Sequence, residues 1–168
     1  APYVELHCHS SFSFLDGASS PLELATAAAE LGYPALGLVD HDGIWGSMEF
    51  AVSCKGAGVR PITGTELTVS AAGRLFHLTL LVEDEAGYRN LCRLLTEAHA
   101  HTRDGQGRQA GQPSLPLESL AGFTEGLICL SGCARQGMVA SAWAEGDLAR
   151  GTGFARRLLG FFGPDNLR

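Results

Sequence analysis

Short apolar runs alternate along the chain with longer stretches in which apolar residues recur every three or four positions. Tyr3–Leu6 (YVEL) predicts a first strand. Ser20-Pro21-Leu22-Glu23 then predicts a helix start, with a capping-box pattern and proline in the first turn. Leu22, Ala25 and Ala29 give that helix an apolar stripe, and Gly32 ends it. Ala35–Asp40 (ALGLVD) reads as a buried strand, and Ser47–Ala57 as a second helix closed by Gly58. Two further runs, Val59–Ser70 and Arg74–Val82, flank a short turn at Ala71–Gly73 and predict a hairpin. A long helix follows from Asp84 to His99, with Tyr88, Leu91, Leu95 and Ala98 on one face. Residues 101–116 are rich in Gly, Gln and Pro and predict an exposed loop. Gly126–Cys133 (GLICLSGC) is another strand, and Arg135–Phe162 is mostly helical. The closing GPDNLR reads as the entry to one more strand left without a partner.

Strands alternating with helices predict an α/β fold with a mainly parallel sheet or barrel and helices outside. Active sites in such folds gather where strands give way to loops. The ionisable residues follow that rule. His7 and His9 follow the first strand, and Asp40-His41-Asp42 the second. Glu66 follows RPITGT, Cys133 follows GLICLSG, and Asp16 lies in the first loop. His77 sits near the start of an apolar strand, a costly place for a polar ring without a partner.

Taken singly, these signals are weak. A lone His-x-His is more often surface, a lone core histidine is more often hydrogen-bonded than ligating, and a lone cysteine is more often packing. Asp-His-Asp after a strand is stronger, because imidazole beside carboxylate is a usual ligand arrangement. His99 and His101 read as solvated surface, Arg156-Arg157 as a solvated helix face, and Trp45 and Phe50 as pocket wall or core.

Composition narrows the classes. The 168 residues suffice for one domain with a sizeable core, and the net charge of −6 argues against this chain alone being a strong nucleic-acid binder. Five cysteines, an odd number without a C-x-x-C, give no disulfide framework and point to a reducing, cytoplasmic setting. No apolar run reaches the length of a membrane span, so no membrane partner is expected.

LHCHSSFSFLDGAS, LVDHDGIWGSMEF, RPITGTEL, FHLTLLVEDEAGYRNLCRLL and EGLICLSGC together resemble the N-terminal PHP domain of bacterial DNA polymerase III alpha subunits, most of all the error-prone branch. The resemblance covers nearly the whole of residues 1–168 and implies a distorted, seven-stranded β/α barrel, here truncated before its last strands. It implies metal ligation by His7, His9, Asp16, His41, Glu66, His77 and Cys133, with Glu66 bridging ions and Asp40 beside His41. Glu66, Asp40 and His41 are the expected catalytic residues. The implied cofactor is a cluster of divalent ions, zinc first, with manganese or iron as alternatives. The implied chemistry is phosphoester cleavage, including 3′-5′ exonuclease activity, within a DNA-directed polymerase acting in replication and damage-induced synthesis. DNA and other replication or mutagenesis proteins are the expected partners. Two rivals stay open: a non-catalytic scaffold module, and a free-standing phosphatase of the histidinol-phosphate type. The unpaired last strand is expected to leave an open sheet edge that favours self-association.

Overall fold

The computed structural model of the chain describes residues 3–107, 111–133 and 135–168. They fall into two compact units, Ala1–Glu66 and Leu67–Arg168.

In the first unit, β1 (Glu5–Cys8), β2 (Ala35–Leu38) and the start of β3 (Arg60–Ala71) run parallel in that order. β1 begins two residues later than expected and takes in His7, because its parallel pairing with β2 continues to Cys8 opposite Leu38. Two helices connect these strands, α1 (Pro21–Glu30) and α2 (Ser47–Ala57), and pack on each other. The capping box of α1 forms as expected: Glu23 N donates to the Ser20 hydroxyl, and Ser20 N donates to the Glu23 carboxylate. The buried stripe of α1 is Pro21, Ala25 and Ala28 rather than the expected set, and Leu22 is exposed. The small stripe lets α1 lie close over the core of Leu36, Leu38, Phe50, Cys54 and Val59. Phe50 is fully buried in that core, where truncation of a large side chain costs about 3–5 kcal/mol.

In the second unit, the later half of β3 turns back into β4 (Arg74–Val82). The link is two residues, Ala72 and Gly73, both at positive φ (49° and 72°). Left-handed backbone at both centres marks the turn whose twist suits a hairpin. β4 pairs antiparallel with β6 (Leu127–Leu130), from Thr79 opposite Leu130 to Val82 opposite Leu127. β5 (Leu115–Pro116) pairs parallel with β3, and Leu115 is buried, so the stretch read as an exposed loop ends in a strand. Helix α3 (Glu85–His99) packs on β4 and β6 through Leu91, Leu94, Leu95 and Ala98, while Tyr88 is exposed. Helices α4 (Met138–Ala144) and α5 (Leu148–Phe162) pack on each other.

One expectation is overturned here. The closing segment does have a partner: Cys129 N donates to Asn166 O, Arg168 N to Cys129 O and Ser131 N to Arg168 O, each at 2.8 Å. The chain's own last residues therefore occupy the free side of β6. No described helix is long and apolar enough to cross a membrane.

Candidate metal centre

Where β1 and β2 end, the chain turns into two loops, and β3 runs on beyond them. β2 pairs with β3 only as far as Leu38 opposite Thr63. Beyond that point Glu66 N donates to Asp40 O and Asp42 N donates to Glu66 O, so Glu66 and His41 face each other as an isolated parallel bridge. Glu66, which follows RPITGT within the expected Val59–Ser70 run, lies inside β3, which continues to Ala71. It still stands at the carboxyl end of the parallel sheet, because β2 has stopped.

The buried Glu66 carboxylate gathers the histidines. Its Oε2 lies 2.7 Å from His7 Nε2, 3.0 Å from His9 Nε2 and 3.9 Å from His41 Nε2. A second carboxylate closes the other side: Asp16 Oδ2 lies 2.8 Å from His41 Nε2 and 3.9 Å from His9 Nε2. The His9 and His41 rings stack at 4.6 Å with planes 7° apart. Within the first unit, five of the expected ligands therefore meet, as two overlapping triads, His7-His9-Glu66 and His9-Asp16-His41, that share His9.

The electrostatics follow from the pairing. The hydrogen bond to Glu66 raises the His7 pKa against the opposing effect of burial. The hydrogen bond from His41 lowers the Asp16 pKa. His9 Nδ1 is buried without a hydrogen-bond partner, an orphan that costs roughly 1–3 kcal/mol unless a ligand makes use of the ring.

This donor set fits a divalent cation. Two ligands about 2.0–2.1 Å from one tetrahedral ion stand roughly 3.3 Å apart. The donors here are separated by 2.7–3.9 Å. Imidazole with carboxylate suits zinc, manganese or iron.

Asp40 is buried but stands apart from the triads. Its carboxylate accepts from Ser10 N (2.8 Å), the Ser10 hydroxyl (2.8 and 3.0 Å) and the Ser13 hydroxyl (2.7 Å). The Ser13 hydroxyl in turn accepts from His41 N at 3.1 Å. Asp40 thereby fastens loop 10–17 to the turn that carries His41. Nothing local to Asp40 signalled this, since Ser10 and Ser13 lie 30 and 27 residues away. The serines of SSFSF were the available sign.

His77 and Cys133 belong to the second unit. His77 lies in β4, with its N–H donated to Gln136 O at 2.9 Å. Gln136 N approaches Cys133 Sγ at 3.4 Å and Gly137 N donates to Cys133 O at 2.8 Å, so the loop after β6 holds Cys133 and packs along the His77 backbone. Outside the site, His101 Nε2 lies 3.2 Å from Gln112 O, within the loop region.

Comparison with known proteins decides the family. A model of the PHP domain matches residues 5–168. The chain belongs to the PHP family. An error-prone DNA polymerase of Symbiobacterium thermophilum is 42% identical over 95% of this PHP chain, and one of Cutibacterium acnes is 38% identical over 99%. The chain spans 15% of the length of each of these two. A Bifidobacterium adolescentis structure assigned as a metal-dependent phosphoesterase superposes with a TM-score of 0.50 at 25% identity. That match covers 61% of the PHP chain and 35% of the other, and it accords with the barrel type expected for the fold.

Proposed function

We propose that this PHP chain is the metal-binding part of an error-prone-type DNA polymerase, and that its cluster cleaves a phosphodiester at a DNA 3′ end. The observation that carries the reading is the Glu66 carboxylate oxygen set 2.7–3.9 Å from three imidazole nitrogens. The names of the relatives support the polymerase setting, and the structural neighbour supports the phosphoester chemistry. A cytoplasmic location and DNA as the partner of the longer protein belong to the same reading.

In this mechanism His7, His9 and His41 would hold the cation as neutral imidazoles, and Glu66 and Asp16 would supply its negative charge. Bound there, such an ion supplies Lewis acidity toward a phosphoryl oxygen and a hydroxide nucleophile near neutral pH. Glu66, central among the three imidazoles, would be the group placed to take a proton from an attacking water. Asp16, on the exposed side, would stand beside His41. The second unit's His77 and Cys133 are proposed as further ligands from the family resemblance.

Elemental analysis of the purified chain tests the reading, beside a His7→Ala/His9→Ala control and His77→Ala and Cys133→Ala variants. Stoichiometric zinc, manganese or iron that is lost in the control is expected, together with release of 3′-terminal nucleotides from DNA by the metal-loaded parent chain. No metal in the parent overturns it. Metal without hydrolysis leaves the scaffold reading.

A further inference from the structure

Both loops that carry the cluster also hold apolar side chains out in water. Phe14 is 85% exposed and Leu15 fully exposed, directly before Asp16. Trp45 is 56% exposed, four residues after His41. These are not slack segments. Ser11 N donates to Ser19 O, and Asp16 N and Gly17 N both donate to Ser13 O. The Trp45 ring folds back so tightly that a Cβ on Gly43 would lie 2.2 Å from it. Phe12 lies against Gly46, 3.2 Å from where a Cβ would be. Leu15 also holds a left-handed backbone, φ 68°, which is costly for a branched side chain. The fold neither buries Leu15 nor relaxes it.

Exposed aromatic side chains on both loops that carry the candidate ligands suit a ligand with one flat apolar face and one anionic group. We infer that Phe14, Leu15 and Trp45 stack the unpaired terminal base of a nucleic-acid strand whose phosphodiester lies at the cluster. This rests on the phosphoesterase reading above and adds how the terminal nucleotide of its substrate is held. Charge decides against a long tract. Lys55 and Arg60 are the only Lys or Arg among residues 1–66, so this unit offers no basic track for a phosphate backbone. Binding then comes from stacking on one or two nucleotides, which is sequence-tolerant and only weakly salt-dependent. A base-free phosphate monoester leaves the exposed aromatic side chains unused.

The test uses a Trp143→Phe chain, in which Trp45 is the sole tryptophan, titrated with single-stranded dT4 and with an abasic strand of equal length. One equivalent of zinc is present in one series and absent in the other. Saturable quenching of Trp45 by dT4 is expected, with the abasic strand binding at least about tenfold more weakly. Phe14→Ala should lose about tenfold in dT4 affinity, and Phe14→Tyr should keep it. Phe14 is exposed, so its truncation does not threaten folding. Equal binding of the two strands, or no effect of Phe14→Ala, overturns the inference, and a surface that binds a protein segment instead gives that result. Hydrolysis of methyl p-nitrophenyl phosphate, which lacks a nucleobase, reports the chemistry separately. Turnover without base preference sinks the stacking alone, whereas base stacking without turnover sinks the phosphoesterase reading and keeps the stacking.

Discussion

Asp40 and Ser10 are joined through the Ser10 backbone N–H at 2.8 Å and through its single hydroxyl proton, shared between the two carboxylate oxygens at 2.8 and 3.0 Å. The Ser13 hydroxyl adds another donor at 2.7 Å. All of these groups are buried, so the carboxylate exchanges water for a complete set of donors. Asp40→Asn keeps the volume but turns one acceptor into a donor that faces donors. Hydrogen bonds to charged groups contribute about 1.5–3 kcal/mol each, so a stability loss of about 3 kcal/mol is expected by urea unfolding. Loop 10–17 should loosen with it, and Asp16 with the loop. Metal bound per chain should therefore fall, although Asp40 stands outside the triads. Unchanged stability and full metal content would mean that Asp40 is not the anchor of this loop.

Gly17 closes the same loop. A Cβ there would lie 2.0 Å from Ser10 O, a backbone atom that cannot step aside. Gly17→Ala is expected to cost about 1–3 kcal/mol, in the range of other overpacked sites. Metal affinity should drop with it, because Asp16 is the adjacent residue. Gly105→Ala serves as the comparison, since a Cβ there meets nothing within 4 Å. Thermal unfolding of the two variants side by side checks the difference.

Local rules made much of this fold legible. The Ser20–Glu23 box, the Gly58 stop and the Ala72-Gly73 turn each act over a few residues, and each formed where expected. Convergence was legible as a topological rule, since His7, His9, Asp16, His41 and Glu66 do meet. Contributions from distant sequence were not. That Glu66, inside its own strand, stands at the end of the parallel sheet follows only once β2 is known to stop at Leu38 while β3 continues. That Asp40 receives Ser10 and Ser13 could not be read locally, since both lie far from it in sequence. Leu22 reads as core because local periodicity cannot say which way a helix faces when its buried stripe is alanine.

The cysteines separate by burial. Burial pushes the Cys54 thiol up to about 11 and the Cys129 thiol up to about 12, and both are fully buried. At pH 8 these correspond to thiolate fractions on the order of one in a thousand and one in ten thousand. Cys8, Cys92 and Cys133 are partly exposed, and burial also raises the Cys8 thiol. An Ellman titration of the native, metal-free chain should therefore leave Cys54 and Cys129 unmodified while Cys92 and Cys133 react and Cys8 reacts more slowly. Denaturant should release all five. Rapid native labelling of Cys129 would contradict the packing of β6.

Glu145 bridges Arg74 at the start of β4 and Arg150 in α5, with N–O distances of 2.5–2.8 Å. Hydrogen bonds from Arg74 and then Arg150 pull its pKa from 4.5 down to about 2. A depressed carboxylate adds stability above its unfolded pKa and loses it as pH falls through the folded value. The Glu145→Gln difference should thus be present at pH 7, shrink below pH 4.5 and vanish near pH 2. The group is solvated, so the effect is small and should disappear in 1 M salt, where the Debye length is about 3 Å. A difference that persists in acid and salt would assign Glu145 a packing role instead.

The closing residues lie along β6 by the backbone bonds of Cys129 and Ser131 to Asn166 and Arg168. They satisfy the donors and acceptor that an exposed strand edge offers to another chain. Removing residues 164–168 uncovers Cys129 N–H, Cys129 C=O and Ser131 N–H together. The shortened chain should self-associate in sedimentation velocity at concentrations where the 168-residue chain does not. It should also unfold at lower urea, because three backbone bonds are lost at about 0.5–1.5 kcal/mol each. If both forms sediment alike and unfold together, the segment does not guard the edge, and any association of the intact chain must use a different surface.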